Sequence, residues 1–441
     1  MATKEELLER LHAAGVRILR LQFTDITGVI KSVEVPASQF AKALDGGMLF
    51  DGSSIEGFVR IEESDMILKP DLSTLAIFPW AEDEDRVARL ICDVHTADGK
   101  PFEGDPRRVL RRQIEAAAAM GYRMMVGVEA EFFLFYRTPE GLPTRRPHDA
   151  GGYFDLTPVD LGEMARRDIV NALEQMGVRV EASHHEVAPG QHEVDFRVEE
   201  ALVAADNLAT FRFVVRSIAL RHGLHATFMP KPIFGQNGSG LHTHQSLFRG
   251  DENAFYDPKA PDQISRIMRW YVGGLLEHAR SFCLVTNPLV NSYKRLVPGY
   301  EAPVHVAWAH RNRSPLVRVP ARRGKGTRVE LRMPDPAANP YLALAVQLAA
   351  GLDGIRRRIE PPEPVEKNIF TLSVRDRRRY RIQELPRDLS EALEAFRRST
   401  FMREVLGDHV FNHLIAAKEQ EWQQYSTQVH DWEVERYLAS Y

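Results

Sequence analysis

Residues Gly127 to Tyr136 read Gly-Val-Glu-Ala-Glu-Phe-Phe-Leu-Phe-Tyr. So apolar a run forms a strand inside a sheet, and alternate strand residues face the same way, so Glu129 and Glu131 share one face. Side by side at an effective dielectric near 20, two carboxylates repel by roughly 3 kcal/mol. Protons, arginines or divalent cations must neutralise them. The plainer alternative is an edge strand with both glutamates in water.

Three other segments bear on that choice. His184-His185-Glu186 and Glu193 lie on two short strands joined by Ala188-Pro189-Gly190, a hairpin that brings Glu186 and Glu193 together. His242-Thr-His244 sets two imidazoles on one strand face, directly after the glycine-rich loop Gly235–Gly240. Arg328-Val-Glu-Leu-Arg332 alternates, so Arg328, Glu330 and Arg332 share a face while Val329, Leu331 and Met333 face the core. A lone His-x-His is more often structural than ligating. Five glutamates and a histidine on strands of one region are harder to leave in water, and an oxygen-rich set suits Mg2+ or Mn2+ better than zinc. So many carboxylates imply more than one ion.

Between Arg311 and Arg332 lie eight cations, Arg311, Arg313, Arg318, Arg322, Arg323, Lys325, Arg328 and Arg332. They read as a solvated loop, a nucleic-acid patch or a phosphate clamp. Lys+Arg 57 against Asp+Glu 61, a net charge of −4, and the lack of interleaved aromatics weigh against nucleic acid. Neither a P-loop nor a Rossmann glycine turn is present, so a nucleotide would bind by another device. Carboxylates holding divalent ions opposite arginines form the frame phosphoryl transfer needs. Residue chemistry alone thus reaches a metal-dependent enzyme acting on a phosphate compound, with a two-metal hydrolase as the generic form.

At 441 residues the chain has room for two or three domains. The first hundred residues are strand-rich: Val16–Gln22 and Val29–Val35 flank Thr27-Gly28 as a hairpin, a proline-punctuated segment runs from Leu68 to Trp80, and Arg86–Val94 is a strand. Asp105-Pro106 is the first strong helix start, placing a boundary that gives domains 1–103 and 104–441. Beyond it, strands and helices alternate irregularly, with helices expected over Leu161–Met176, Ala201–His222, Asn339–Ile355 and Ser390–Ala417, an α+β pattern. Two unpaired-looking cysteines, an amphipathic rather than apolar N-terminus and no long apolar run fit a cytoplasmic protein with no membrane association. The aromatic C-terminal tail calls for a docking surface on its own body or a neighbour's.

Four motifs then stop being anonymous: Asp51-Gly-Ser-Ser-Ile-Glu-Gly-Phe58, Asn237-Gly-Ser-Gly-Leu-His-Thr-His-Gln-Ser-Leu247, Lys294-Arg-Leu-Val-Pro-Gly-Tyr-Glu-Ala-Pro303 and Arg328-Val-Glu-Leu-Arg-Met-Pro-Asp-Pro336. In this order, over nearly the whole chain, they resemble type I glutamine synthetases. The resemblance implies ligation of ammonia to L-glutamate with ATP through γ-glutamyl phosphate. It also implies an N-terminal β-grasp domain, a catalytic domain with a curved antiparallel sheet (a partial barrel) flanked by helices, and a homododecamer of two hexameric rings with the C-terminal helical tail at the ring–ring contact. By motif, Glu131, Glu186 and Glu193 resemble the ligands of one Mg2+ or Mn2+, and Glu129, His242 and Glu330 those of a second, with two or three ions per site. Asn237, Gly238, Arg295, Arg313 and Arg332 resemble the glutamate site; Glu181, His244, Ser246, Arg318, Lys325 and Arg328 the nucleotide site. Arg313 would also meet the transferring phosphoryl group. Asp51, supplied to a neighbouring subunit, resembles the base that deprotonates ammonium, and Glu301 the lid carboxylate.

Asn368-Ile-Phe-Thr371 carries Phe370 where some relatives have an adenylylated tyrosine, so that control should be absent. Gly57–Asp65 resembles the segment through which Arg60 would couple glutamine to feedback inhibition. Nitrogen-regulatory protein partners are compatible with the resemblance. A ligase for a larger amine and a non-catalytic relative are the competing readings; intact Asp51 and Glu301 favour ammonia, and the retained carboxylates and arginines favour an enzyme.

Overall fold

The computed structural model describes residues 3–55, 57, 65–81, 86–310, 312, 314–367, 369, 372–380 and 382–441. Helix α1 (Lys4–Ala13) opens with a capping box between Thr3 and Glu6 and buries Leu7 and Leu11. It packs on a five-stranded sheet of β1 (Ile18–Thr24), β2 (Ile30–Pro36), β3 (Met48–Asp51), β4 (Asp65–Ile77) and β5 (Val87–Thr96), in the order β2-β1-β5-β4-β3. Only β1 and β5 run parallel; the hairpin at Gly28 joins β1 to β2 as expected. The short helix α2 (Phe40–Leu44) lies before β3.

The proline-punctuated segment is in fact β4, thirteen residues long. Pro70 is tolerated because β3 pairs only as far as Leu68, so no strand on that side needs its missing N–H, and the ladder with β5 shifts between Asp71 and Ala76.

The second layer begins with α3 (Pro106–Ala119), whose N-cap Asp105 accepts from the Arg107 N–H at 2.9 Å. Its sheet has eleven strands around a central β6 (Arg123–Arg137). The main path adds β8 (Val180–His185), β9 (Gln191–Phe196), β12 (Leu241–Arg249), β15 (Trp308–Ala309), β16 (Val317–Arg318) and β17 (Val329–Leu331). Its order is β15-β16-β17-β12-β6-β9-β8, and β7 (Pro143–Pro147), β10 (Glu199–Glu200), β11 (Leu224–Thr227) and β13 (Glu252–Asn253) attach at the sides. The sheet curves towards closure and, apart from β15 with β16, is antiparallel. Outside it, β14 (His305–Val306) pairs with β18 (Gln383–Glu384).

Helices α4 (Glu163–Gln175), α5 (Ala201–Arg221), α6 (Arg266–Thr286), α7 (Ser292–Arg295) and α8 (Pro340–Arg357) cover this sheet, so the α+β architecture is as expected. The sequence reading missed α6 altogether. Its Gly273-Gly274 pair looks like a helix breaker, yet a Cβ on Gly274 would lie 2.0 Å from the Ala350 carbonyl oxygen and one on Gly351 2.0 Å from the Tyr271 ring. The glycines let α6 and α8 touch backbone to backbone.

After the small α9 (Val374–Arg379), the single helix expected over Ser390–Ala417 is three: α10 (Leu389–Arg397), α11 (Thr400–Leu406) and α12 (Asp408–Ser426). Ser399 caps α11 and Gly407, at φ +82°, breaks the chain before α12. Trp422 packs on the core, but Trp432 and Tyr437 of α13 (Asp431–Tyr437), with Tyr441, are exposed.

A buried ionic clamp joins the two sheets. Arg107, 2% exposed, reaches Asp71 and Asp93 of β4 and β5 at 2.8 and 2.7 Å and Asp206 of α5 at 2.8 Å. Tyr341 of α8 donates to Asp206 at 2.8 Å, and Arg89 of β5 donates to Thr210 at 3.0 Å.

Candidate active site

The antiparallel register of β6 decides which side chains meet. Glu129 lies opposite His242 on one side and Asp195 on the other, Glu131 lies opposite Glu193, and His244 lies opposite Glu330. The charged residues therefore form rows across the inner sheet face, while Val329, Leu331 and Met333 are fully buried on the opposite face. The alternation read from Arg328–Met333 holds, although Glu330 is as buried as its apolar neighbours.

Two groups emerge, and they differ electrically. In the first, Glu129 accepts from His242 Nδ1 at 3.0 Å and His244 Nε2 at 2.6 Å, and Glu330 pairs with Arg318 and Arg332. Burial works to raise both carboxyls, but the histidines hold Glu129 well below the usual range and the cations lower Glu330. Burial and the nearby Arg332 push His242 down to about 4, leaving it neutral and able to ligate. Ligand atoms of Glu129, His242 and Glu330 lie within 4.8 Å of one another.

The second group is short of positive charge. Burial, with Glu186 and Glu193 close by, raises Glu131; burial and the neighbouring Asp195 and Glu186 push Glu193 up to about 10; burial and Glu129 push Asp195 to about 6. Glu186 is also raised, by burial and by Glu301 and Asp195. Gln191 donates to Glu131 at 2.7 Å, and His184 Nε2 meets Glu193 at 3.1 Å. Gly240 leaves open the space between this group and the first: a Cβ there would lie 2.8 Å from Arg295, 2.9 Å from the His242 ring and 3.1 Å from Glu131. Clustered carboxylates whose pKa values are raised for want of a cation, beside a space free of side chain, fit divalent ions with hard oxygen ligands.

Two clefts open on these rows. The larger, about 340 Å3, is lined by Glu129, Glu181, Asp195, His244, Ser246, Lys325 and Arg328 with apolar Met125, Val128, Phe196 and Phe248. Of the residues expected on the nucleotide side, all but Arg318 line it; Arg318 is held on Glu330 instead. The second is a recess bounded by Glu131, Glu186, Asn237, Gly238, His242, Arg295, Tyr300, Glu301, Ala302 and Arg332. Here Arg295 donates to the carbonyls of Met333 at 2.7 Å and Arg332 at 3.1 Å, while the buried Arg332 Nε has no hydrogen-bond partner among the described residues.

Asp51 ends β3, exposed, with its carboxylate accepting from Ser53 N–H at 2.8 Å; among the described residues, those lining both clefts all come from beyond position 104. Arg60, Arg311, Arg313, Asn368, Phe370 and Thr371 lie outside the described residues. Sequence reasoning missed Asp195, Gln191 and Tyr300 as parts of the site, while Arg322, one of the cations read as a possible phosphate clamp, does line the larger cleft. Asp195 had a signal, since it alternates with Glu193 on β9 as Glu131 does with Glu129.

The chain is similar in sequence and fold to known proteins. The family model described as glutamine synthetase, β-grasp domain, matches residues 15–97, and that of the glutamine synthetase catalytic domain matches residues 103–437. The glutamine synthetase of Thermus thermophilus is 62% identical over 443 residues, spanning 100% of this chain and 99% of the relative. That of Methanosarcina mazei is 55% identical, spanning 99% and 98%. A solved complex of GmaS with ADP superposes with a TM-score of 0.89 at 32% identity, spanning 98% of this chain and 99% of that one. The chain belongs to the glutamine synthetase family: it is a ligase that joins ammonia to L-glutamate with ATP and divalent metal ions, forming L-glutamine.

Proposed function

We propose that the two clefts divide the reaction between them. ATP occupies the larger, its phosphates towards Glu129 and the Arg328 side, and L-glutamate the recess, with Asn237, Gly238, Arg295 and Arg332 around it. The observation carrying this is the carboxylate set that joins the clefts: Asp195 lines the larger, Glu131 and Glu186 line the recess, and Glu193 lies opposite Glu131 across the sheet. Glu131, Glu186 and Glu193 would hold one Mg2+ or Mn2+ and Glu129, His242 and Glu330 another, with room for two or three ions. Bound there, the ions neutralise phosphate charge as the γ-phosphoryl group moves to the glutamate γ-carboxylate.

Arg318, Lys325, Arg328 and, from the resemblance, Arg313 face the anionic phosphates. Asp51 takes a proton from ammonium, ammonia attacks the acyl carbon of γ-glutamyl phosphate, and phosphate leaves. Glu301 closes over the acyl phosphate so that water does not take ammonia's place. We assign residues 1–103 to a β-grasp domain that gives Asp51 to a neighbouring subunit, and 104–441 to the catalytic domain. We place the chain in a cytoplasmic homododecamer with its tail at the ring contact. The exposed Trp432, Tyr437 and Tyr441 support that last point. Arg60 would carry glutamine feedback, and an Arg60→Ala enzyme inhibited by glutamine as before would remove it from that role.

The first test is phosphate release from ATP with Mg2+, glutamate and ammonium, each omitted in turn. Release that needs all of them, with equal glutamine, is expected. Release indifferent to ammonium would point to another amine acceptor.

A further inference from the structure

The lid residue Glu301 sits at φ +59°, in the left-handed region that a glutamate adopts only when its surroundings impose it. Gly299, two residues earlier, is also left-handed at φ +92°. Between them, Tyr300 points its ring at Lys231, whose ammonium lies 3.6 Å from the ring centroid. Lys231 is only 9% exposed, and among the described residues it forms no ion pair. Lysines that deep are usually paired with a carboxylate. This one donates instead to the Gln236 carbonyl and gives its remaining charge to an aromatic face.

Its backbone is fixed as firmly as its head group. Lys231 N–H donates to Asn291 Oδ1 at 2.7 Å, and Asn291 Nδ2 donates back to the Lys231 carbonyl at 3.1 Å. Its stem runs past Gly238, where an added Cβ would lie 3.2 Å from the lysine Cδ and 3.2 Å from Arg295. One side chain thus spans from the floor of the recess, at Gly238, to its lid, at Tyr300.

We propose that Lys231 is a positioning residue that latches the lid: its ammonium, anchored on Gln236, docks under Tyr300 and so holds Glu301 closed over the acyl phosphate. This rests on the reading of Glu301 given above. Without the latch, water reaches the acyl carbon. Its oxygen bonds to that carbon, the bond from carbon to the phosphate oxygen breaks with its electron pair leaving on phosphate, and a proton goes to solvent. Glutamate is regenerated, and the net change is ATP and water to ADP and phosphate. A latch therefore governs how phosphate and glutamine are coupled, whereas a residue that merely supports the fold lowers both together.

The experiment compares phosphate with glutamine formed by the assembled wild-type enzyme and by Lys231→Met, Lys231→Arg, Tyr300→Leu and Tyr300→Phe, with saturating Mg2+, ATP, glutamate and ammonium. Lys231→Met and Tyr300→Leu should raise the phosphate released without glutamine about thirtyfold, the scale of a lost, largely desolvated cation–π contact. Lys231→Arg and Tyr300→Phe keep cation and ring, and should stay coupled like the wild type. A Lys231→Met enzyme that is slow but fully coupled overturns the proposal, as does a Tyr300→Phe enzyme as leaky as Tyr300→Leu. Where Lys231→Met does not fold, Tyr300→Leu on the lid decides between the same two outcomes. A wild type that makes no glutamine would instead sink the reading of the site itself.

Discussion

At the scale of single residues, the site is a set of carboxylates arranged against their own interest. Glu193→Gln keeps the size but, unlike the glutamate, has no proton that folding must hold on, so it should raise the melting temperature of the metal-free protein at neutral pH and weaken Mg2+ binding by about 10- to 100-fold. Calorimetric titration with Mg2+ and a melting curve in chelator would read both; unchanged Mg2+ affinity would exclude Glu193 as a ligand. Away from the site, burial and the nearby Asp93 push Asp105 up to about 7 from an ordinary 3.8. Between those values the folded chain keeps a proton that the unfolded chain has released, so stability falls as pH rises, by about 1.4 kcal/mol per unit. The loss is complete above about pH 7. Asp105→Asn has no proton to lose, and its melting temperature should change less between pH 5 and 8 than the wild type's. Parallel profiles would overturn that.

At the scale of elements, what could be read in advance was what alternation encodes. Glu129 with Glu131, and Arg328 with Glu330 and Arg332, came out on shared faces because strand period alone decides that. That Glu330 is wholly buried and held by two arginines was not readable, since it depends on β16 lying beside β17. The pairing of His242 with Glu129 likewise depends on register between strands more than a hundred residues apart. Helix α6 escaped because its glycines serve a partner helix rather than a turn. Gly351→Ala, which drives a methyl into the Tyr271 ring, should cost about 3 kcal/mol and lower the melting temperature by several degrees. Full retention of stability would mean that α6 and α8 can part without loss.

At the scale of the whole molecule, the Arg107 clamp is the feature that makes two sheets one body. Arg107→Met leaves Asp206, Asp93 and Asp71 without their shared cation, which should cost about 3–5 kcal/mol and separate the unfolding of the two sheets into two calorimetric transitions. A single transition of unchanged midpoint would count against it. The assignment of Asp51 to a neighbour is tested by mixing Asp51→Asn with Glu330→Ala subunits: some activity returns if sites are shared, and none if each chain is self-sufficient. The clamp also bears on how such an assembly grows. With β4 and β5 riveted to α3 and α5, the direction in which β3 presents Asp51 is settled inside each chain before any neighbour arrives. If the proposed sharing of Asp51 holds, the assembly forms by docking of finished parts, and a chain damaged at Arg107 fails its neighbour's chemistry while its own two clefts stay intact.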